Sequence, residues 1–248
     1  MKKFILFFVI SLTTVAAKAQ GGYNYSQFGV GVGVGYGRAF ADTKRQDYHP
    51  AFNINFVYNY GPFIPVALEF QFGTLSGGGR TIDKDPYGRI YKNNYKALIL
   101  HADLQAGDIM DYSNSNFLNM LKNFYIGTGI GAINNKMADI QRTNLYPQNG
   151  PIGTTIGFEG KDKSTNLLIP LRFGYEFKIF DSYDEPSYTI TIGYQHNITF
   201  GEGLDGYNDN PDKFKNNAPD QYAQLTIGFK FSFGNSVSYT KQIRHSQF

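Results

Sequence analysis

The chain has 248 residues, no cysteine and a formal net charge of +3, from 23 basic and 20 acidic residues. Lys2, Lys3 and Lys18 belong to an N-terminal segment that we expect to be removed, so the remaining chain is formally neutral. A neutral chain lacks the basic surface that nucleic acid binding requires, and a chain without cysteine has no disulfide framework. We therefore expect no nucleic acid partner and a fold that is held by packing and backbone hydrogen bonds.

The N-terminal segment has the pattern of a secretory signal peptide. Two lysines precede an apolar run over residues 4–15, and small residues stand at both ends of the triplet 17–19. A run of about twelve apolar residues is too short for a spanning helix, which needs roughly 20. We therefore expect a signal peptide over residues 1–19, cleavage after Ala19 and, since no cysteine follows, no lipid anchor.

Strand periodicity is clearest in residues 28–40. Glycine or alanine occupies every odd position from Gly29 to Ala39, and apolar or aromatic residues occupy the even positions except at Arg38. A period of two is the period of a β-strand, because successive side chains leave opposite faces. We predict a strand with one apolar face and one bare face. Glycines at odd positions only also exclude the dinucleotide fingerprint, which requires glycine at its first, third and sixth places.

The same alternation recurs along the chain without a long linker, which predicts one all-β domain. The apolar faces are rich in Phe, Leu and Ile, and only 17% of the residues are charged while 17% are aromatic. Strands of about 9 to 14 residues are long enough to cross a bilayer when they are tilted. We predict a transmembrane, antiparallel up-and-down β-barrel of about eight strands, with a soluble β-sandwich or lipocalin-like barrel as the alternative. The predicted strands are residues 28–40, 52–60, 66–73, 95–106, 124–133, 166–177, 188–195 and 224–233.

The connections alternate in length, as in membrane barrels with short periplasmic turns and long outer loops. The connection that begins at Gly107 and ends at Asn123 is long for an inner turn. We expect its residues 116–121 to form either a short amphipathic helix at the inner interface or a plain ordered loop. The long connections are residues 41–51, 74–94, 134–165 and 201–221, and the short ones are residues 61–65 and 178–186.

The last predicted strand carries four spaced residues, Thr226, Gly228, Phe231 and Phe233. They resemble the C-terminal insertion signal of outer-membrane β-barrels, although that signal usually ends the polypeptide. With the signal peptide and the glycine-alternating strands, the mature chain is similar to the small eight-stranded barrels of the OmpA/OmpX type. It particularly resembles the outer-membrane β-barrel domain proteins of Bacteroidota, which include porin-family and PorT-like proteins.

The resemblance implies a barrel domain over residues 20–234 in the cell outer membrane, and a periplasmic tail over residues 235–248. It also implies insertion by the barrel-assembly machinery and contact with outer-membrane lipids and lipopolysaccharide. An envelope protein is a further expected partner. Its docking point would be the connection from Gly107 to Asn123, or the tail that begins at Gly234 and ends at Phe248.

Six polar side chains fall on the lumen phase of the predicted strands: Glu69, His101, Asp103, Arg172, Glu176 and Lys230. The glycine faces of the first and fifth strands are expected to make room for bulky charged groups from the opposite wall. An eight-stranded barrel is only wide enough for its own side chains, so these charges must pair or stay hydrated. Our interpretation is a salt-bridged plug that seals the barrel, and the alternative is a narrow or gated polar conduit.

Two cations, Arg38 and Lys96, fall on the membrane-facing phase near the outer ends of their strands. A long cationic side chain at that depth reaches lipid headgroups or lipopolysaccharide phosphates. We therefore predict a lipid interface at these two residues.

The last outer connection carries a cluster of acidic and amide residues, Asp205, Asn208, Asp209, Asn210 and Asp212. The cluster lacks the spacing and the final glutamate of a calcium loop. We expect a solvated loop there, and neither a metal nor a cofactor in the protein.

Catalysis has one candidate pair in the sequence. His101 and Asp103 stand two residues apart, like a general base and its orienting carboxylate. However, His101 falls near the middle of its strand, and the sequence has no Gly-x-Ser-x-Gly nucleophile motif. We expect a barrel without enzymatic activity, with a structural or surface-interaction role through its long outer loops. The alternatives are a narrow porin or an accessory barrel of a transport or secretion machine, and a lipid-modifying enzyme.

Overall fold

The computed structural model describes residues 22–112, 115–149, 157–208 and 220–240, and the expected signal peptide lies outside these ranges. No helix in this part of the chain has the length and apolar character needed to cross a membrane. The helices are α1 Ala106–Ile109 and α2 Asn116–Leu121, with a 3₁₀ turn at Pro147–Asn149. The strands are β1 Gly22–Phe40, β2 Gln46–Asp47, β3 His49–Gly61, β4 Ile64–Gly78, β5 Ile90–Gln105, β6 Phe124–Gln141, β7 Lys163–Phe180, β8 Pro186–Phe200 and β9 Gln221–Thr240.

The eight long strands form one closed antiparallel ring. Their order around the barrel is β4, β3, β1, β9, β8, β7, β6 and β5, and β5 pairs again with β4. The short strand β2 adds to the outer end of β4. Each predicted strand coincides with one of the long strands, apart from Ala106, which begins α1. The prediction of an all-β, eight-stranded, antiparallel up-and-down barrel is confirmed.

The outward face of the barrel is apolar around its circumference. On β5, Lys96 and Leu98 are exposed, whereas Tyr95, Ala97 and Ile99 face inward and are at most 1% exposed. A soluble barrel would point its apolar face inward, so that alternative is wrong. One exposed apolar side chain from each long strand, in chain order, is Val32, Ile54, Phe70, Leu98, Ile130, Leu171, Ile192 and Ile227.

The connections follow the predicted alternation of short inner turns and long outer loops. The inner turns are residues 62–63 and 181–185, and the longer inner connection carries α1 and α2. At α2, the Ser115 hydroxyl accepts a hydrogen bond from the Leu118 amide at 3.4 Å and caps the helix, as serine commonly does. Of the two alternatives for residues 116–121, the short helix is therefore the one that forms.

The C-terminal strand is longer than the sequence suggested. Residues 235–240, expected in the tail, continue β9 and pair with the start of β1, where Thr240 lies opposite Gly22. Gly234 has a φ of +100° at a shift in the β1–β9 register, a conformation that glycine adopts without strain. Phe233 therefore does not end the strand, and residues 241–248 lie outside the described ranges.

Pro170 interrupts the ladder between β6 and β7. The two strands pair up to Thr128 opposite Leu171 and again from Gly131 opposite Leu168, but not between these points. Proline has no backbone N–H to donate, which is why it is rare in central strands. A missing ladder bond is costly in a membrane, where water cannot replace it.

Replacing Pro170 with valine is expected to raise the free energy of unfolding by about 1 kcal/mol, because valine restores one backbone hydrogen bond. Urea unfolding of the barrel in detergent micelles, followed by circular dichroism, measures this change. Pro50 is the control, since it is exposed near the outer end of β3 and Pro50→Val should change stability less. If Pro170→Val lowered the free energy of unfolding, the packing of the proline ring would stabilise the barrel more than the restored hydrogen bond does.

Candidate functional site

The middle of the lumen contains four charged or titratable residues, Glu69, His101, Asp103 and Arg172, which we call the charge ring. Arg172 on β7 donates to Glu69 on β4 at 3.0 Å and, through Nε, to Asp103 on β5 at 3.0 Å. His101 Nε2 lies 3.5 Å from Glu69 Oε2, and His101 Nδ1 lies 3.4 Å from Asp103 Oδ1. Each carboxylate therefore lies between the guanidinium and the imidazole.

Hydrogen bonds connect the charge ring to the outer half of the lumen. Gln71 donates to Glu69, and the Gln71 side-chain oxygen accepts from Tyr222 at 3.0 Å and from Gln224 at 3.1 Å. Gln224 also donates to the Tyr95 hydroxyl at 2.6 Å. These amides were not singled out in the sequence, although their even spacing from Glu69 or Lys230 places them on the same lumen phase.

Glycines make room for the lumen charges on the neighbouring strand. Gly129 on β6 lies opposite His101, and a Cβ at Gly129 would overlap the His101 backbone and side chain. Gly31 on β1 lies opposite Lys230 and packs against its side chain. At these two positions the expectation of groups from the opposite wall is therefore wrong, because a Cβ would meet residues of the adjacent strand.

The inner end of the lumen holds a second polar cluster. Lys230 donates to Glu176 at 3.2 Å, and Gln105 donates to the other oxygen of Glu176 at 2.8 Å. Lys178 donates to Gln105 at 2.7 Å and to the Pro62 carbonyl at 2.6 Å. Lys178 stands two residues after Glu176 on the same face, but it was not predicted there because its segment has the sequence of a turn.

Two small cavities remain between these clusters. One of about 70 Å³ is bordered by Asn53, Arg172 and Lys230, and one of about 20 Å³ is bordered by Glu176 and Ser232. One water needs about 10–15 Å³ of a cavity measured in this way, so the larger cavity has room for several waters and the smaller one for about one.

The outer half of the lumen holds an apolar cluster, which the strand pattern did not predict. At the outer end, the strands extend beyond the apolar outward face and enclose side chains from the outer connections. This region therefore packs like the core of a soluble protein. We call this cluster the outer plug. Its members are Ala39, Leu75, Tyr91, Tyr95, Ala97, Ile99, Ile133, Phe158, Leu168, Leu204, Tyr207 and Tyr222.

Arg89 joins all four outer connections above the outer plug. It donates to the Asp85 carboxylate at 3.3 Å and to the Asp42 carbonyl at 2.8 Å. Its guanidinium carbon lies 5.2 Å from the ring centre of Phe158 and 5.4 Å from that of Tyr207, distances typical of cation–π contacts. The Arg89 side chain is only 5% exposed. We call Arg89 and the connections that it joins the outer cap.

Three carboxyl groups meet at the side of the outer cap. Oxygens of Asp42, Asp205 and Asp220 lie within 4.8 Å of one another, and the amides of Asp42 and Tyr207 donate to Asp205 at 3.1 and 3.0 Å. Asp205 is fully buried, so the expectation of a solvated loop is wrong at this residue. Grouped carboxylates either share protons or hold a hard cation. Asn208 is exposed, and the other predicted residues, Asp209, Asn210 and Asp212, lie outside the described ranges.

These carboxyls make the outer cap sensitive to pH. Burial raises the pKa of Asp220 to about 7, and burial together with Asp220 raises the pKa of Asp205 well above its usual value. Arg89 opposes the shift at Asp205. Because the unfolded pKa is about 3.9, the stabilisation is complete below that pH and is lost as the pH rises through about 7.

Amide protection in the outer connections is therefore expected to be higher at pH 5.5 than at pH 8.5, after correction for the intrinsic exchange rate. Hydrogen exchange with mass spectrometry measures it. Asp220→Asn should flatten the pH dependence, whereas Asp83→Asn, at an exposed carboxylate of the second outer connection, should leave it unchanged. Equal pH dependence in both variants would contradict the assignment of the pH dependence to Asp220.

The remaining predicted residues lie on β1, β5 and β9. Arg38 faces outward and donates to the Tyr48 hydroxyl at 3.4 Å, and Lys96 is exposed. Both positions are compatible with the predicted contact with lipid headgroups, which stays a prediction. The rings of Phe231 and Phe233 stack on the outward face with centroids 6.2 Å apart. The other two motif residues, Thr226 and Gly228, alternate with them on the lumen side, and the insertion role of the motif stays a prediction.

No protein-family model matches the sequence, and no curated protein matches it. Among solved structures, the chain is similar to neisserial surface protein A of Neisseria, with 10% identity over 86% of this chain and 100% of that one, and a TM-score of 0.48. It is also similar to Ail, the attachment invasion locus protein of Yersinia pestis, with 12% identity over 86% and 100% of the chains and a TM-score of 0.43. The outer membrane protein OprG of Pseudomonas aeruginosa has 12% identity over 84% and 98% of the chains and a TM-score of 0.40. The resemblance to Bacteroidota barrels stays a hypothesis.

Proposed function

We propose that the chain is an integral outer-membrane β-barrel protein with a sealed lumen, which acts through its outer cap and its membrane-facing surface. The apolar outward face supports the membrane location, because it matches the lipid-facing band of membrane barrels. The closed ring of strands supports it as well, since it leaves no unpaired sheet edge in the hydrocarbon.

The proposal of a sealed lumen rests on the side chains that fill the lumen at three levels. The inner polar cluster around Glu176, the charge ring and the outer plug follow one another along the barrel axis. His101 and Asp103 both belong to the charge ring, so we assign them to packing and not to catalysis. An envelope protein partner, the assembly machinery and a place among Bacteroidota barrels remain parts of the proposal.

Reconstitution into planar bilayers tests the sealed lumen. We expect the wild-type barrel to produce no conductance steps above those of the lipid alone. Migration of unheated and heated samples on a gel serves as the control for folding, because a folded barrel migrates differently from the unfolded chain. Steady conductance by a folded barrel would overturn the proposal and favour the narrow conduit.

A further inference from the structure

The paired ends of β1 and β9 extend past the other strands at the inner end of the barrel. β3 pairs with β1 only up to Phe28, and β8 pairs with β9 only up to Phe231. Beyond these points, within the described ranges, β1 and β9 pair only with each other. Residues 22–27 and 234–240 therefore form a two-stranded ribbon, which we call the inner lid.

A β-bulge turns the apolar face of the inner lid towards the lumen. The odd-numbered residues of β9 face outward up to Phe233. The β1–β9 register then shifts by one residue, which leaves one extra residue on β9. An extra residue moves the side chains that follow it to the opposite face of the strand. Val237 accordingly lies opposite the buried Tyr25, and Tyr239 shares its face, whereas Ser238 is exposed.

Three aromatic rings cross the inner opening of the barrel beneath the inner lid. The ring of Tyr239 contacts that of Phe63 edge-on, with centroids 5.9 Å apart. Phe63, in the turn between β3 and β4, contacts Tyr112 of the β5–β6 connection with centroids 5.6 Å apart. Phe63 is 0% exposed and Tyr112 is 1% exposed. Since β5 lies across the barrel from β9, the three rings span the opening.

Side-chain contacts, and not a ladder of backbone hydrogen bonds, join the inner lid to the neighbouring inner turns. The Tyr25 hydroxyl donates to the Tyr60 carbonyl at 3.3 Å, and Asn59 donates to the Ser26 carbonyl at 2.8 Å. Glu185 accepts from the Ser26 hydroxyl at 3.5 Å. A two-stranded ribbon is only marginally stable by itself, and such elements open at a lower free-energy cost than the core. The inner lid therefore opens more readily than the rest of the barrel.

A polar cavity lies directly beneath the inner lid. The cavity of about 20 Å³ is bordered by Tyr25 of the lid and by Glu176, Lys178, Lys230 and Ser232. Ser232 is 7% exposed. Charged groups that are buried in this way gain hydration when water reaches them. An opening of the lid would therefore fill this end of the lumen with water from the inner side.

We propose that the inner lid opens about the bulge at Gly234 and gives water and small polar solutes of the periplasm access to the polar cluster around Glu176. Gly234 has a φ of +100°, which glycine adopts without strain, so it suits a hinge. The charge ring and the outer plug stay packed, so the open lid leaves the lumen sealed towards the outside. The inference rests on the proposed membrane location, with the inner turns in the periplasm.

Cysteine labelling tests the inference, because the chain has no cysteine of its own. Ser232→Cys places a thiol beneath the inner lid, and Leu75→Cys places one in the outer plug, where Leu75 is 0% exposed. The folded barrel in detergent micelles is treated with N-ethylmaleimide, a small neutral reagent, and the adduct is followed by mass spectrometry. We expect Ser232→Cys to react and Leu75→Cys to stay unmodified over the same period.

Tyr239→Ala removes the contact with Phe63 and should raise the labelling rate of Ser232→Cys about tenfold, the effect of one lost aromatic contact. It should leave Leu75→Cys unmodified, which separates opening of the lid from unfolding of the barrel. The control is Tyr183→Ala in the neighbouring inner turn, where Tyr183 is 79% exposed, and it should leave the rate unchanged.

Equal labelling of Ser232→Cys and Leu75→Cys, or an unchanged rate in Tyr239→Ala, would overturn the inference. The migration of unheated samples on a gel reports folding of each variant. If Tyr239→Ala does not fold, Val237→Ser gives the same comparison. A barrel that inserts into bilayers without this labelling pattern contradicts only this inference, whereas a chain that does not insert contradicts the proposed function.

Discussion

Replacing Arg172 with methionine is expected to lower the free energy of unfolding by about 3–5 kcal/mol, the cost of breaking a buried ion pair. The side chains of Arg172 and Glu69 are 12% and 2% exposed. Without the guanidinium, Glu69 and Asp103 would share the lumen with no permanently charged partner. The chain contains no tryptophan, so unfolding is best followed by circular dichroism or by the gel shift of the folded barrel.

Two comparisons identify the cause of this loss. Adding Glu69→Gln and Asp103→Asn to Arg172→Met should restore most of the stability, because removing a whole buried charge group costs far less than removing one partner. Arg142→Met is the control, since Arg142 pairs with an exposed Asp162 and exposed pairs contribute about 1 kcal/mol or less. If Arg172→Met cost no more than Arg142→Met, the charge ring would not hold the barrel together.

The same variant distinguishes the plug from the conduit. In a sealed barrel, Arg172→Met changes stability and leaves the bilayer conductance at the level of the lipid. In a conduit, the same change alters the current or its ion selectivity, because Arg172 would line the path. Measuring both quantities on one preparation therefore separates the two interpretations of the lumen charges.

The barrel and the faces of its strands were predictable because side chains alternate with a period of two. That rule placed Glu69, Asp103 and Arg172 in the lumen without any knowledge of which strands pair. Their contacts were not predictable, since they depend on strand register and on the closure of the ring. The rule also failed at Lys178, where β7 continues into a segment that resembled a turn.

The outer plug and the outer cap had no comparable signal. Tyr207 and Phe158 come from connections without a repeating pattern, and their burial depends on contacts between distant parts of the chain. Arg89 lies in a Pro-Tyr-Gly-Arg stretch that resembles any polar turn. Long outer loops are compatible with either a solvated surface or a packed cap, and only the three-dimensional contacts distinguish these cases.

Replacing Arg89 with methionine is expected to release all four outer connections at once. The change leaves the Asp85 carboxylate, whose side chain is 0% exposed, without its guanidinium, and it removes the cation between Phe158 and Tyr207. A buried carboxylate that loses its partner costs about 3–5 kcal/mol, so protection against amide exchange in the outer cap should fall by at least a hundredfold. Hydrogen exchange with mass spectrometry resolves the four connections separately.

The effect should stop at the outer half of the barrel, because the groups that hold Arg89 belong to the outer connections. Arg80→Met is the matched control, since Arg80 is an exposed arginine of the same connection and should leave protection unchanged. Adding Asp85→Asn to Arg89→Met should restore part of the protection by removing the unpaired charge. Faster exchange confined to residues 79–89 would show that Arg89 holds only its own loop, and that the cap depends on the apolar contacts of the outer plug.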